Sequence, residues 1–341
     1  MICWKKGYVV FWIGTLFLSV RAAVCAGEAA FSEDGSTVYF ENTTAKTDAP
    51  LCMFDVKTGK IAEATFKFTE PNETFEGICR YTDKCFLIVS ERHLWKWDPI
   101  SNKSSLVESA PEGVKFNDAA YSARSGRVVI ADFTSDSGSN RACYNFLMLE
   151  KGASSMVSVR AWRLHYMMAP QFLDDDTLVF GCDGDLWHGR IQNEPPDGDS
   201  PSKEGPLFLA AYRYAPLGTP ENYMGSPSAT GVKALAISKG MVYAQVSRLA
   251  GDGWGALVRL PLPPPNKDDF DRHDDFVERR KIYLDALMRV EVLDQESDWP
   301  VQLCTSADGN LVHFVGSIKG PLMQRRHYMI DNNGKAKQVG P

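Results

Sequence analysis

What this chain lacks narrows its function before anything present is considered. Among its 341 residues there is no Gly-x-Ser-x-Gly elbow, so a serine hydrolase of that type is excluded. Neither a phosphate-binding Gly-rich loop nor a dinucleotide fingerprint occurs. Cys-x-x-Cys pairs and clustered Cys/His spacings are also missing, which argues against a zinc site. The six histidines (His93, His165, His188, His273, His313 and His327) are scattered and read as surface or edge-strand residues. Net charge is −6, so there is no basic footprint for nucleic acid. No heptad run or low-complexity tail appears, and past the N-terminus no apolar stretch approaches the roughly 20 residues a spanning helix needs.

The N-terminus is the exception to that last absence. Lys5 and Lys6 precede an apolar run, Tyr8 to Val20, followed by Ala22, Ala23, Val24, Cys25 and Ala26. A basic head, a short apolar segment and small residues describe a secretory signal peptide over 1–26, cut after Ala26. The expected mature protein is then a single domain, 27–341, secreted or periplasmic, with no membrane span after cleavage.

Cleavage would remove Cys3 and Cys25 and leave six cysteines. An exported chain permits disulfides. Cys79 and Cys85 flank five residues and could face each other across a hairpin, so a bond between them is the expectation.

A strand–turn–strand unit recurs through the chain. It appears first around Asp34-Gly35, then near Asp83, Ser125-Gly126, Asp175, Lys239-Gly240 and Asp308-Gly309, at spacings of 49, 42, 50, 64 and 69 residues. A second signature follows several units: an apolar or aromatic stretch, an Asp, then a turn closing in Gly or Asn. It occurs at Phe54-Asp55 to Gly59, Trp97-Asp98 to Asn102 and Ile330-Asp331 to Gly334. Asp accepts from turn amides, and Gly or Asn supplies positive φ. Units of about 40–50 residues with four strands are the size of a propeller blade.

The expected fold is therefore all-β, a β-propeller of four-stranded antiparallel sheets. Six blades are counted, or seven if another lies within 193–225. Insertions are expected at 193–225, rich in Pro, Gly, Ser and Asp, and at 261–292. In the second, Phe270, Val277, Leu284 and Leu287 recur at helical spacing and predict a helix over 271–290.

The unit from Phe31 to Phe40 resembles the strand–Asp-Gly–strand pattern of bacterial propellers related to TolB and WD-repeat proteins. Leu94 to Asn102 is similar to the WD-type end of such a repeat. A narrower resemblance lies in Phe116-Asn117-Asp118-Ala119-Ala120-Tyr121 with Gly126-Arg127-Val128, which is similar to the Asn-Asp…Gly-Arg stretch of gluconolactonase-type, six-bladed hydrolases. Gly27-Glu28-Ala29 resembles that family's Gly-Glu segment. The resemblance implies that Glu28 and Asn117 hold a divalent cation, with an Asn and an Asp from later blades. Here Ala169-Pro170 stands at the third ligand position and Gly231-Val232-Lys233 near the fourth. Two oxygen ligands fall well short of the six or so that hard cations take.

Aligning the units places Glu28, Glu76, Asn117, Asp118, Lys233 and Gln302 at or near one end of the innermost strands. That ring of acid, base and amide groups could bind a small polar ligand, or its members could bond to one another and to channel water. The sequence thus favours an exported binding or scaffolding module for a protein or small polar ligand over an enzyme. No cofactor is expected, no catalytic residue is assigned, and a lactonase-like hydrolase with a degenerate metal site is the alternative.

Overall fold

A computed structural model describes residues 29–42, 49–82, 84–132, 145–161, 167–182, 185–193, 207–215, 217, 232–246, 255–262, 291–297, 301–306, 308–315, 324–333 and 335–340. The segment read as a signal peptide and the helix predicted over 271–290 lie outside these residues, as does most of both insertions. No helix occurs among the described residues, so none there could cross a membrane.

The chain lays down antiparallel meanders in order. The first is β1 (Ala29–Phe31), β2 (Thr37–Glu41), β3 (Leu51–Asp55) and β4 (Ile61–Glu63). The next is β5 (Phe75–Arg80), β6 (Phe86–Ser90), β7 (His93–Asp98) and β8 (Lys103–Ser109). Then come β9 (Phe116–Tyr121), β10 (Val128–Asp132), β11 (Asn145–Leu149) and β12 (Val157–Ala161), followed by β13 (Met168–Phe172), β14 (Thr177–Cys182), β15 (Asp185–Gln192) and β16 (Leu207–Ala215). The last two groups are β17 (Val232–Ser238), β18 (Met241–Val246), β19 (Gly255–Pro261), β20 (Glu291–Ser297), and β21 (Val301–Thr305), β22 (Asn310–Val315), β23 (Gln324–Ile330), β24 (Ala336–Gly340).

Four of these meanders are separate four-stranded sheets, whereas β9–β12 and β13–β16 fuse into one sheet of eight. The joint is a parallel pairing, Val159 opposite Leu207 and Ala161 opposite Leu209. Pairing β12 with β16 covers two outer edges that would otherwise present unpaired backbone groups. β16 lies inside the stretch expected to be an insertion, and it serves as the fourth strand beside β15.

The first strand of each meander packs beside the first strand of the next: β1 on β5, β5 on β9, β9 on β13, β13 on β17, β17 on β21, and β21 back on β1. The sheets therefore stand in a closed, propeller-like ring around these inner strands. Between sheets lie apolar layers. Trp97, 1% exposed, packs edge-on against Tyr39 with ring centroids 5.0 Å apart and against Phe66 at 5.7 Å, joining the first two groups. Phe146 meets Phe180 perpendicularly at 5.4 Å inside the fused sheet.

Aspartates hold the turns as their spacing suggested. Asp55 accepts from the Thr58 N–H at 2.6 Å and the Thr58 hydroxyl at 2.8 Å. Asp98 accepts from the Ile100 N–H and the Ser101 hydroxyl, and Asp331 from the Asn333 and Lys335 amides. The Lys239-Gly240 hairpin has both residues at positive φ (49° and 75°), the two-residue turn that matches strand twist.

One expectation fails on register. Cys79 pairs opposite Leu87, and Cys85 closes the hairpin against Tyr81, donating its own N–H to Thr82. The two thiols therefore sit diagonally, not directly across the ladder, and no Cys79–Cys85 bond forms.

Candidate functional site at the bulged end of the inner strands

Four successive inner strands carry a β-bulge at the same end. In β5 the ladder passes from Phe75–Ser90 to Gly77–Val89 and leaves Glu76 extra. In β9, Asn117 and Asp118 together face the single step between Asp132 and Ile130. In β13, Ala169 and Pro170 occupy the matching position, and in β17 Lys233 does. Bulges re-aim side chains and concentrate beside functional sites. Here they fall on residues that the sequence alignment had singled out.

The structure brings three of those residues together. Asn117 and Asp118 are buried, 2% and 0% exposed, and Glu76 on the neighbouring strand is half-buried. Gly77 lies beside Asp118: a Cβ added there would stand 3.5 Å from Asp118 Oδ1, at ordinary contact distance. Lys233 and Gln302 have only their backbone described, Lys233 in the β17 bulge and Gln302 opposite Phe314 in β21. Glu28 lies outside the described residues.

Asp118 takes the backbone N–H of Ala169 on its Oδ2 at 2.9 Å, which ties β9 to β13. Ala169 holds φ at 49°, a conformation that costs a non-glycine residue about 1–2 kcal/mol. Its other carboxylate oxygen, Asp118 Oδ1, is buried without a hydrogen-bond partner among the described residues, and so is Asn117 Oδ1. Leaving such groups unmet costs about 1–3 kcal/mol each. Burial pushes the Asp118 carboxyl up to about 8, the Ala169 N–H pulls against that rise, and the negative charge of Glu76 adds to it.

The approach to this end carries a pair that the sequence did not reveal. His93, at the start of β7, donates from Nδ1 to Glu73 Oε1, and the Glu73 side chain is 3% exposed. Beside them the Thr74 hydroxyl donates to Glu76 Oε1 at 3.0 Å. A histidine and a glutamate 20 residues apart give no local signal, because only the meander register joins them.

At the turn end of the inner strands lies a cavity of about 270 Å³, lined by residues including Phe31, Arg80, Gln171, Ile237 and Thr305. Arg80 reaches Glu33 at 3.5 Å at its rim, and both side chains are about half exposed.

A cation site fits this geometry poorly. No group of three His, Cys, Asp or Glu side chains that could hold a metal occurs among the described residues. At the third ligand position expected from the resemblance, Ala169-Pro170 offers no side-chain oxygen, and the Ala169 N–H, a donor, already points at Asp118. The turn acids are likewise accounted for: Asp174 accepts from the Asp176 and Thr177 amides, and Asp185 from the Leu217 amide.

Solved structures share this architecture. A gluconolactonase from Xanthomonas campestris superposes with a TM-score of 0.53 at 11% identity, over 87% of this chain and 84% of that one. The fold is that of a β-propeller. A second propeller, assigned as a gluconolactonase, gives 0.52 at 11% identity over 92% and 90% of the two chains. Regucalcin from Agrobacterium tumefaciens, a calcium-binding protein, gives 0.50 at 13% identity over 85% and 82%. At such identities the likeness carries the propeller fold alone. No protein-family profile matches the sequence, and no curated protein matches it.

Proposed function

We propose that the chain is an exported binding propeller of six blades, the fused sheet counting as two, that takes a small polar ligand at its bulged channel end. The support is the pair of buried oxygens, Asn117 Oδ1 and Asp118 Oδ1, which share one bulge and have no hydrogen-bond partner among the described residues. Burying them unmet opposes folding. A ligand that hydrogen-bonds to both offsets that cost, and the bulges of the adjoining inner strands shape its surroundings. Export rests on the basic, apolar and small-residue order of 1–26.

A thermal-shift screen of small polar compounds tests the reading. A binder should raise the melting temperature of the intact protein, and Asn117→Ala should remove that rise. Equal shifts in wild type and variant would place binding elsewhere and refute the site.

The alternative, a lactonase-like hydrolase, is favoured by the Asn117-Asp118…Gly126-Arg127 stretch and by the shared propeller fold. The missing third oxygen at Ala169-Pro170 opposes it. Lactone hydrolysis that depends on added divalent cation and disappears in Asn117→Ala would establish it over the binding reading.

A further inference from the structure

We infer that the cavity at the turn end of the inner strands takes an α-amino acid with an apolar side chain, its zwitterionic head held by Arg80 on one side and by Glu33 and Asp308 on the other. This goes beyond the binding reading above, since it concerns the opposite end of the inner strands and uses neither Asn117 nor Asp118.

The cavity, about 270 Å³, combines an apolar wall with a charged mouth. Ile78, Leu235 and Leu303, from three different inner strands, are buried residues of that wall. At the mouth, Arg80 ends β5, Glu33 stands in the turn after β1, and Asp308 in the turn after β21. Those two turns meet: a Cβ added at Gly35 would stand 3.5 Å from Asp308 Oδ2. One cation and two carboxylates therefore share one opening.

These charges are loosely engaged. Arg80 and Glu33 approach to 3.5 Å with both side chains about half exposed, whereas a charge-assisted hydrogen bond spans about 2.7–2.9 Å. Arg80 donates no hydrogen bond among the described residues, and Asp308 has neither a hydrogen bond nor an ion pair there. The guanidinium keeps its full fork of N–H donors, the shape that takes a carboxylate through two parallel bonds.

Matching the signs selects the ligand. A simple acid answers Arg80 but sets its charge against Glu33 and Asp308. A simple amine answers those carboxylates and leaves the Arg80 fork unused. A neutral head gives none of the three its counter-charge. A zwitterion enters between Arg80 and Glu33 and replaces one long contact by two of the right sign, with further ammonium donors for Asp308. Its apolar side chain then lies against Ile78, Leu235 and Leu303, where leaving water adds affinity. The volume falls just below the roughly 300–1,000 Å³ of drug-sized pockets, which suits a molecule as small as an amino acid.

Isothermal titration of the full chain with L-leucine, isocaproate and isoamylamine tests this, because the three share one apolar body and differ in head charge. Leucine should bind, and the acid and the amine should each bind about tenfold or more weaker. Arg80→Gln should weaken leucine by a similar factor and leave the amine unchanged, and Asp308→Asn should weaken leucine without weakening the acid. Both substitutions fall on exposed side chains, so the melting temperature should hold. Asn117→Ala should leave leucine binding intact, which separates this cavity from the bulged end. An acid or amine that binds as tightly as leucine would overturn the zwitterionic head. Leucine binding that survives Arg80→Gln but is lost in Asn117→Ala would overturn the location, and binding by none of the three would overturn the site.

Discussion

The backbone N–H of Ala169 donates to Asp118 Oδ2 across 2.9 Å, joining two inner strands at a bulge in each. The bond spans 51 residues of sequence and fixes a carboxylate with no solvent exposure. It also holds Ala169 at positive φ just before Pro170, a step that proline already restricts. Strain of this kind persists only where surrounding contacts impose it.

Asp118 makes stability pH-dependent in an unusual direction. Its carboxyl titrates near 3.8 when unfolded and is raised to about 8 when folded. Between those values the folded chain holds a proton that the unfolded chain has released, so stability falls as pH rises through the window. Melting temperature should drop from about pH 4 to pH 8, and Asp118→Asn should flatten that slope. A wild-type slope matching that of the variant would mean that Asp118 does not bear the proton.

Two glycine turns separate conformational strain from collision. Gly240 has φ 75° and open space where a Cβ would lie, so Gly240→Ala should cost about 1 kcal/mol. Gly309 has φ 88°, and its Cβ would stand 2.8 Å from the Ile330 carbonyl oxygen. Gly309→Ala should therefore cost about 2 kcal/mol or more. Urea unfolding of both variants checks the order, and equal losses would remove the steric contribution.

Trp97 joins the first two sheets of the ring, against Tyr39 and Phe66. Trp97→Ala should cost about 3–5 kcal/mol, as large aromatic truncations in packed cores do. A loss below about 1 kcal/mol in chemical denaturation would show that the interface is not packed as described.

Thiol reactivity follows burial. Cys79 and Cys85 are half-buried and not joined by a disulfide, so both should alkylate in the native protein without reductant. Burial pushes the Cys304 thiol well up, and Cys304 should react only after unfolding. Peptide mapping after alkylation reads each position, and a linked Cys79–Cys85 peptide would overturn the register given for that hairpin.

Much of the architecture was legible because its signals are local. Asp55, Asp98 and Asp331 mark their turns with bonds made within four residues, and the Asp-Gly and Lys-Gly pairs mark hairpins by the φ they permit. Glu76, Asn117 and Asp118 could be brought near one end by counting back from those turns. What stayed hidden depends on contacts far apart in sequence. The parallel joint between Val159 and Leu207, the Ala169–Asp118 bond and the Glu73–His93 pair all follow from the register of whole strands. The Cys79–Cys85 expectation failed for the same reason, since a spacing of six residues allows a cross-ladder pair but the observed register makes it diagonal.

Ligand occupancy at the Asn117–Asp118 bulge can be seen in a high-resolution crystal structure of the full chain, purified without added ligand and then soaked with the best binder from the thermal-shift screen. The bound molecule should hydrogen-bond to both Asn117 Oδ1 and Asp118 Oδ1, with the Ala169 N–H still on Oδ2. Both oxygens satisfied by protein groups or water, with the soaked compound elsewhere, would contradict it.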